Sequence, residues 1–400
     1  MRILVTGGAG FIGSALCRYL VGKCGCSVLN VDKLTYAASL QSLDAVAKHS
    51  DYRFVQLDIA NGKRMVELIE EFEPDAIVHL AAETHVDRSI DCAAPFIETN
   101  VTGTYVLLDV ARRYWAKLAP ARRHRFRFVA VSTDEVYGSL RLQDAAVTET
   151  DPYDPSSPYA ASKAAGDHLA RAWYRTYDLP VIISNCSNNF GPYQFPDKLI
   201  PLTILNALEG KTIGIYGRGE NIRDWLYVDD HARALLRIIK RGKPGEKYNI
   251  SARNQRTNLE LVSEICDVVD ELLGDRIGRR ALIRFVADRP GHDLRYAIDP
   301  GKLERELGWS PIKSFEAALR ETIGWYIANR SWWAPIRQNS YAGERLGRAE
   351  RFDVTLGGCI AGPEAVPTPE KRRHPAFSVG QCKAAVAGMD ALSWRPVDRN

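Results

Sequence analysis

Residues 1–13 read MRILVTGGAGFIG and combine a short apolar run, a glycine-rich turn and the start of a helical pattern. Residues 3–5 predict a buried strand, and residues 11–20 predict a helix. Glycines between them would allow a tight turn and the close approach of a pyrophosphate to the N-terminus of the helix. They are spaced three residues apart: Gly7, Gly10 and Gly13.

A second strand, predicted over residues 27–31, leads into Asp32, nineteen residues after Gly13. A carboxylate at this position hydrogen-bonds the ribose hydroxyls of NAD and would repel the extra phosphate of NADP. A glycine-rich turn that holds no ligand is the alternative. The strand, the turn, the helix and the acid together predict an NAD site.

Strand and helix patterns continue to alternate after Asp32. Strands are predicted over residues 53–57, 76–80, 126–131 and 181–184, and helices over residues 61–72, 95–117 and 158–178, with a helical stretch ending near His49. This alternation predicts a Rossmann-type, doubly wound parallel α/β sheet, in which ligands lie at the carboxyl ends of the strands. Asp58 could bind the adenine amino group there or cap the helix at 61–72. The candidates at such ends are Thr6, Asp32, Asp58, Ala81 and Thr133.

Residues 132–138, STDEVYG, follow the fifth predicted strand and place a hydroxyl before two adjacent carboxylates. Thr133 could hydrogen-bond a hydroxyl that is being oxidised. Tyr159 and Lys163 lie four residues apart, which places them on one face of a helix. The ammonium is expected to lower the phenol pKa from about 10, so that Tyr159 acts as a base. The set predicts oxidation of an alcohol to a ketone; the alternatives are a solvated turn and a surface pair.

Beyond residue 184 the pattern changes to shorter elements rich in polar and aromatic residues. Arg223 and Arg289 are candidates to hold a diphosphate, because guanidinium groups match phosphate geometry. His292 and Asp293 belong to the same region, where a structural salt bridge is the alternative. We predict an NAD-binding domain over residues 1–184, to which later strands can return, and a smaller mixed α/β substrate domain over residues 185–347. Residues 348–400 predict a poorly ordered tail.

Composition restricts the class of protein further. A chain of 400 residues, 46% hydrophobic and 26% charged, is typical of an enzyme of two or more domains rather than a disordered or fibrous protein. A net charge of +4 is too small to indicate a nucleic-acid partner. Eight scattered cysteines predict reduced thiols in the cytoplasm and no metal site. We expect no signal peptide and no membrane span, because the chain enters a core strand at once and lacks a long apolar run.

These residues resemble the extended short-chain dehydrogenase/reductase superfamily and, within it, the dTDP-glucose 4,6-dehydratases. The glycine motif and Tyr159-x-x-x-Lys163 indicate the superfamily only. The resemblance covers residues 1–347; Phe190 stands where relatives often have Tyr, and the tail matches nothing in the family. The specific segments are AAETHVDRS at 81–89, TDE at 133–135, SNNFGPYQFPDKLIP at 187–201, NIRDWLYVDDH at 221–231 and RPGHD at 289–293.

The resemblance implies a reaction that removes water from dTDP-glucose with no net redox change. Tyr159, assisted by Lys163, would take the C4 hydroxyl proton as hydride leaves C4 for NAD. Glu135 would then remove the C5 proton, and Asp134 would protonate the departing C6 hydroxyl, since neighbouring carboxylates in different environments can divide such roles. Hydride would return to C6 and Glu135 would reprotonate C5, which gives a 4-keto-6-deoxy sugar nucleotide.

The resemblance also implies a homodimer formed through the helices at 95–117 and 158–178.

The candidate site residues fall into three sets. The catalytic candidates are Thr133, Asp134, Glu135, Tyr159 and Lys163. The cofactor candidates are Gly7, Gly10, Phe11, Ile12, Gly13, Asp32, Lys33, Thr35, Asp58, Ile59, Ala81, Ala82, Thr99, Tyr159 and Lys163. The substrate candidates are Thr84, Asn100, Asn188, Asn189, Lys198, Leu199, Arg223, Asn258, Arg289, His292 and Tyr296.

Two rival functions fit the same scaffold. A UDP-sugar 4-epimerase or a UDP-glucuronate decarboxylase also begins with oxidation at C4, but epimerisation does not need the acidic pair Asp134-Glu135. A non-catalytic NAD-binding regulator is a rival of a different class. An intact set of Thr133, Tyr159 and Lys163 counts against the regulator, because a sensor needs no base.

Overall fold

The structure, a computed structural model, describes residues 1–275, 277–344 and 346. The predicted tail at residues 348–400 lies outside the described residues. The strands of the described chain are β1 (Arg2–Thr6), β2 (Ser27–Asp32), β3 (Tyr52–Gln56), β4 (Ala76–His79), β5 (Arg127–Thr133), β6 (Val181–Cys186), β7 (Asn188–Phe190), β8 (Ile213–Tyr216), β9 (Ile222–Tyr227), β10 (Lys247–Ile250), β11 (Gln255–Thr257) and β12 (Ile283–Val286).

Within these residues, seven strands form one parallel sheet in the order β10-β6-β5-β4-β1-β2-β3. Six of them follow the 3-2-1-4-5-6 order of dinucleotide-binding folds. The predicted Rossmann-type sheet is therefore confirmed, and β10 is a later strand that returns to it beside β6. Because all seven strands run in one direction, Thr6, Asp32, Thr133 and Cys186 all end at the same edge.

Helices cover both faces of this sheet, and the side chains of β1 show why. Ile3 and Val5 belong to one apolar cluster, while Leu4, between them, belongs to another on the opposite face. A strand that is apolar at successive positions is buried on both sides. The described helices are α1 (Phe11–Cys24), α2 (Gly62–Phe72), α3 (Val86–Asp91), α4 (Ala94–Phe96), α5 (Thr104–Ala116), α6 (Pro120–Arg125), α7 (Pro158–Tyr177), α8 (Leu199–Glu209), α9 (Val228–Arg241), α10 (Asn258–Leu273), α11 (Gly301–Leu307), α12 (Phe315–Ala328) and α13 (Arg330–Asn339).

Two predicted helices differ from the structure. The stretch ending near His49 contains only a 3₁₀ turn at Leu40–Leu43, since Arg18 of α1 donates to the Ser42 carbonyl oxygen and so removes it from an α-helical ladder. The helix predicted over residues 95–117 is interrupted by a π-helical segment, Ile97–Gly103. There the Thr104 hydroxyl donates to the carbonyl oxygen of Asn100 at 2.6 Å. Such π-helical turns are frequent at functional sites.

The C-terminal half adds two smaller sheets, β11-β9-β7 and β12-β8, and a second apolar core. Phe190 is buried in this core, where its ring lies 5.4–6.3 Å from the rings of Trp225, Tyr227 and Phe315. A purely apolar side chain suits this position, because a buried tyrosine would need a hydrogen-bond partner for its hydroxyl.

Several features of the described residues concern the class of protein. None of their helices is long and apolar enough to cross a bilayer. No group of three or more His, Cys, Asp or Glu side chains in this part of the chain could hold a metal ion. The six described cysteines are free thiols. The basic residues 122–125 lie in the short helix α6, which buries no residue.

Candidate active site

A cavity of about 640 Å³ lies at the carboxyl edge of the main sheet. Its lining extends from the glycine-rich turn to residues near the end of the described chain, and includes every candidate site residue except Asn100. The lining candidates are Gly7, Gly10, Phe11, Ile12, Gly13, Asp32, Lys33, Thr35, Asp58, Ile59, Ala81, Ala82, Thr84, Thr99, Thr133, Asp134, Glu135, Tyr159, Lys163, Asn188, Asn189, Lys198, Leu199, Arg223, Asn258, Arg289, His292 and Tyr296.

The glycine-rich turn approaches neighbouring backbone too closely for side chains. A Cβ atom on Gly7, which has a φ of +73°, would lie 2.6 Å from the Ala81 nitrogen, and one on Gly13 would lie 2.1 Å from the Gly7 carbonyl oxygen. A Cβ atom on Gly10 would have only the Gly7 carbonyl oxygen near it, at 3.3 Å. The turn therefore packs tightly on the sheet and leaves open space before α1, as a pyrophosphate requires.

Acidic and hydroxyl groups lie where a dinucleotide would extend from this turn. Asp32 ends β2, and its carboxylate accepts hydrogen bonds from the Ala9 and Leu34 nitrogens at 2.9 and 2.8 Å. Lys33 donates to the Thr99 hydroxyl and lies 3.6 Å from the Asp58 carboxylate. Asn61, and not Asp58, caps α2, so the alternative role for Asp58 as a helix cap is wrong. The glycine cradle and these groups fit NAD.

The catalytic candidates meet beside this cradle because a strand end and a helix start converge. Thr133 ends β5 and its hydroxyl caps the following 3₁₀ turn. Ser157 caps α7 by accepting from the Ala160 nitrogen, which places Tyr159 in the first helical turn. Lys163, one turn later, donates to the Val131 carbonyl oxygen at 2.8 Å.

The expected lowering of the Tyr159 pKa does not occur in the protein alone. The ring is only 7% exposed, and burial together with the Glu135 carboxylate raises the pKa well above its usual value. A hydrogen bond to Thr133 opposes this shift. The sequence predicted that these groups would share one site, and both line the cavity, but it did not predict the desolvation of the phenol, which raises its pKa.

Asp134 and Glu135 occupy different electrostatic environments although they are adjacent. Burial and the Glu135 charge raise the pKa of Asp134 well above its ordinary value, and its Oδ2 atom has no partner among the described residues. Burial also raises the pKa of Glu135, but three nearby cations oppose that shift: Arg289, Arg223 and Lys198. Asp134 is thus suited to carry a proton, and Glu135 to accept one.

Those three cations line the opposite side of the cavity. Arg223 is 6% exposed, donates to the Asp293 carbonyl oxygen at 3.0 Å and lies 4.2 Å from the centre of the Tyr296 ring. Lys198 donates to the Thr84 carbonyl oxygen at 3.4 Å. These contacts leave a cationic wall that could hold a diphosphate.

Polar groups continue along this wall. His292 pairs with Asp288 at 2.6 Å, which is a structural contact within the loop, as the alternative for this residue had it. Asp293 accepts from the Ser156 hydroxyl at 2.7 Å. The Asn189 amide oxygen accepts from the His231 Nδ1 atom, and its Nδ2 atom donates to the Ser187 carbonyl oxygen, both at 2.9 Å. The buried Oδ1 atom of Asn188 has no partner in the described chain.

Asn100 is the candidate that the structure places elsewhere. Its amide donates to the Glu83 carbonyl oxygen and the Ser162 hydroxyl and accepts from the Glu83 nitrogen, all at 2.8–2.9 Å. The side chain is 2% exposed and does not line the cavity. It holds the segment after β4 against α7, so we interpret Asn100 as a positioning residue.

The sequence analysis missed two buried acids that organise the cavity. Asp87 pairs with Arg289 at 3.0 Å and accepts from the Tyr216 hydroxyl at 2.8 Å. Asp197 accepts from the Tyr36 hydroxyl at 3.3 Å and has a side chain that is 1% exposed. Both acids lie in the family-specific segments at 81–89 and 187–201, and this location is the sequence feature that could have identified them.

Comparisons with known proteins agree with this geometry. The family model described as GDP-mannose 4,6 dehydratase matches residues 4–322. The probable dTDP-glucose 4,6-dehydratase of Sinorhizobium fredii is 57% identical over 351 residues, which cover 88% of this chain and all of the relative. The dTDP-glucose 4,6-dehydratase of Escherichia coli is 54% identical over 362 residues, with 88% and 100% covered.

A solved structure shows the same likeness. The crystal structure of a double mutant of DesIV, a dTDP-glucose 4,6-dehydratase from Streptomyces venezuelae with NAD and DAU bound, is 45% identical to this chain. The two superpose with a TM-score of 0.77, and the match covers 84% of this chain and 100% of the other.

Proposed function

The chain belongs to the dTDP-glucose 4,6-dehydratase family, and on this premise we propose that its cavity binds NAD and converts dTDP-glucose to dTDP-4-keto-6-deoxyglucose and water. It is an NAD-dependent hydro-lyase of nucleotide sugars. One observation carries the assignment of the reaction: two adjacent carboxylates, Asp134 and Glu135, follow Thr133 in the cavity, and burial raises the pKa of both, while Arg289, Arg223 and Lys198 oppose the shift at Glu135. Elimination of water needs one proton donor and one acceptor at C6 and C5, whereas oxidation at C4 needs only a base for the hydroxyl proton, the role proposed for Tyr159.

The proposed roles begin with the C4 hydroxyl. Thr133 orients this hydroxyl, and Tyr159 removes its proton with the assistance of the Lys163 ammonium. Bound NAD supplies the hydride acceptor for C4 and later the hydride donor for C6, and its positively charged ring would favour the phenolate form. The glycine cradle and Asp32 hold the cofactor for the whole cycle, because the reaction has no net redox change.

Elimination then uses the two carboxylates. A ketone at C4 acidifies the C5 hydrogen, and Glu135, which Arg289 and Arg223 favour in its ionised form, removes that proton. Asp134 donates its proton to the departing C6 hydroxyl. Glu135 returns its proton to C5 at the end, so each carboxylate acts in one direction at a time.

Substrate is held by the far side of the cavity. Residues 1–184 supply the cofactor and catalytic groups together with Thr84, and residues 185–347 supply the other groups for the nucleotide sugar. Arg223, Arg289 and Lys198 neutralise the diphosphate, since guanidinium groups bind phosphate oxygens in pairs. The remaining contacts to sugar and base come from Thr84, Asn188, Asn189, Leu199, Asn258, His292 and Tyr296.

The protein is further proposed to act as a homodimer in the cytoplasm. Large apolar side chains are exposed on the π-helical segment, α5 and α7, where Ile97, Tyr105 and Tyr177 are 49%, 47% and 44% exposed. Such a surface suits burial against a second copy. The free thiols of the described cysteines support a reducing compartment. Light scattering of the purified protein tests the dimer, and a monomer mass would contradict it.

The function is tested by incubating the purified protein with dTDP-glucose and no added reductant. We expect a product whose mass is lower by one water and which carries a ketone at C4. The same incubation with Tyr159→Phe should give no product. A product of unchanged mass would contradict the dehydratase and indicate an epimerase; unchanged biological activity of the Tyr159→Phe variant would favour the regulator.

A further inference from the structure

A buried carboxylate lies behind the catalytic groups without taking part in the proposed chemistry. Asp167 is four residues after Lys163 on α7, hence on the same helix face, and is 4% exposed. It does not line the cavity. A buried carboxylate is costly unless it is paired and hydrogen-bonded, so its surroundings should show what compensates for it.

Three hydrogen bonds converge on one oxygen of this carboxylate. Its Oδ2 atom accepts from the Ser132 hydroxyl at 2.7 Å, the Tyr153 hydroxyl at 2.9 Å and the Asn185 amide at 3.4 Å. The same Asn185 amide donates to the Thr133 carbonyl oxygen at 3.1 Å. Asp167 therefore connects α7 with the ends of β5 and β6, where Thr133 is held.

The Lys163 ammonium lies beside this network. It donates to the carbonyl oxygen of Val131, the residue before Ser132, and a carbonyl does not neutralise its charge. The Asp167 carboxylate, one helical turn away, attracts the ammonium, and this attraction opposes the lowering of the Lys163 pKa by burial, although burial raises the pKa of Asp167 as well.

Other titratable groups near this pair do not supply a compensating negative charge. His79 of β4 has a pKa lowered by burial to about 3, and Cys186 of β6 has one raised to about 12, so both are neutral at pH 7. Burial likewise raises the pKa of Tyr159 well above its usual value in the protein alone, so its phenol is neutral until NAD is bound. Lys247 of β10 approaches Asp167 from the other side, with its ammonium 4.6 Å from the centre of the Tyr153 ring.

We propose that Asp167 is a positioning residue that keeps Lys163 in its charged form beneath Tyr159 and fixes the strand end that carries Thr133. The inference rests on the proposed function, because the charge on Lys163 matters to the reaction only if Lys163 assists Tyr159. Asp167 itself touches neither substrate nor cofactor.

The first test compares the pH dependence of kcat/KM for dTDP-glucose in Asp167→Asn, Tyr153→Phe and the unaltered protein. Loss of the Asp167 charge should move the alkaline limb to lower pH by about one unit, which is a tenfold change in the protonation of Lys163. Tyr153→Phe removes one hydrogen bond but keeps the charge, so its alkaline limb should stay in place. An Asp167→Asn profile that is lower everywhere but keeps the unaltered limb would overturn the proposal.

A second test does not depend on activity. Thermal unfolding is measured for Lys163→Met, Asp167→Asn and the double variant, which together form a double-mutant cycle. Lys163→Met alone leaves a buried anion unpaired, so it should lower Tm more in the unaltered protein than in the Asp167→Asn background. Equal effects in both backgrounds would overturn the pairing. Should the unaltered protein fail to convert dTDP-glucose, the proposed function fails, while this cycle still decides whether the two residues are paired.

Discussion

At the scale of single residues, the proposed division of roles between Asp134 and Glu135 would decide the outcome of the reaction. The Oδ2 atom of Asp134 is buried without a partner in the described chain, while Glu135 faces three cations. Two neighbouring carboxyls in different surroundings can act in opposite directions within one step, one as proton donor and the other as proton acceptor. The oxidation at C4 requires neither of them.

Glu135→Gln should therefore separate oxidation from elimination. The amide cannot accept the C5 proton, so kcat should fall by about 100-fold or more, as expected for loss of a general base. Absorbance of the reduced nicotinamide should still rise after substrate is added. Glu220→Gln is the control, since that side chain is 65% exposed and pairs with Arg218 on the surface. Normal turnover by Glu135→Gln would refute this role.

Candidate catalytic residues could be selected from the sequence, but not all their properties could. Thr133, Tyr159 and Lys163 were found from their spacing and from their positions after a strand and at the start of a helix. The direction of the Tyr159 pKa shift was predicted wrongly, because spacing carries no information on burial. Asn100 was placed beside the substrate, whereas its amide is occupied by Glu83 and Ser162.

At the scale of elements, the junction of β1 and α1 depends on glycine at one position and tolerates a side chain at another. Gly13→Ala should abolish NAD retention and lower Tm, because its Cβ atom would lie 2.1 Å from a backbone oxygen. Gly22→Ala, in the same helix, meets nothing within 4 Å and should be neutral or stabilising by up to about 1 kcal/mol. Bound NAD and Tm are measured for both. Full NAD retention by Gly13→Ala would contradict the assigned cradle.

A buried histidine in β4 makes stability depend on pH. His79 lies between the hydroxyls of Thr6 and Thr104, both at 2.9 Å, and burial lowers its pKa to about 3. Between pH 6.5 and 3 the unfolded chain binds a proton here and the native protein does not. The free energy of unfolding should therefore fall as pH drops through this window, by about 1.4 kcal/mol per unit at most from this group.

Urea unfolding between pH 7.5 and 5 checks this sign. His79→Gln should be less stable at pH 7.5. Its free energy of unfolding should fall less steeply on acidification, because the proton that His79 binds on unfolding no longer contributes to the slope. His124→Gln, at an exposed position in α6, should keep the slope of the unaltered protein. An unchanged slope in His79→Gln would mean that this histidine does not contribute to the acid sensitivity.

The boundaries of the strands and helices show where the local apolar pattern was sufficient to predict the structure. Strands β1 to β6 and helices α1, α2 and α7 were predicted to within a few residues, since their apolar patterns match burial. The seventh strand, β10, was predicted only as a later strand that could return to the sheet. The π-helical segment Ile97–Gly103 was not predicted, because it depends on a side chain of the next turn and on Asn100 contacts with distant residues. Its apolar pattern is that of an ordinary helix.

At the scale of the whole molecule, the cavity is completed by contacts between distant parts of the chain. Asp87, in the first turn of α3, binds the Arg289 guanidinium 202 residues later and the Tyr216 hydroxyl. Tyr36 and Asp197 make a second such contact. No spacing rule pairs residues so far apart, which explains why both acids were missed although the segments that contain them were recognised.

Asp87→Asn should weaken substrate binding more than it affects the chemistry. It removes the negative partner that holds Arg289 in the cavity, and breaking a buried charge pair typically costs 2–5 kcal/mol. The KM for dTDP-glucose should rise about tenfold or more, with little change in kcat or in bound NAD. Tyr216→Phe removes only the neighbouring hydrogen bond and should have a smaller effect. An unchanged KM in Asp87→Asn would contradict this role.

The central claim, that this cavity oxidises C4 and then returns the same hydride to C6, is tested most directly with dTDP-glucose that carries deuterium at C4. The purified protein is incubated with this substrate without added reductant, and the product is examined by mass spectrometry and NMR. We expect deuterium in a new C6 methyl group together with a ketone at C4. Deuterium retained at C4 with inverted configuration, or no conversion at all, would contradict the account.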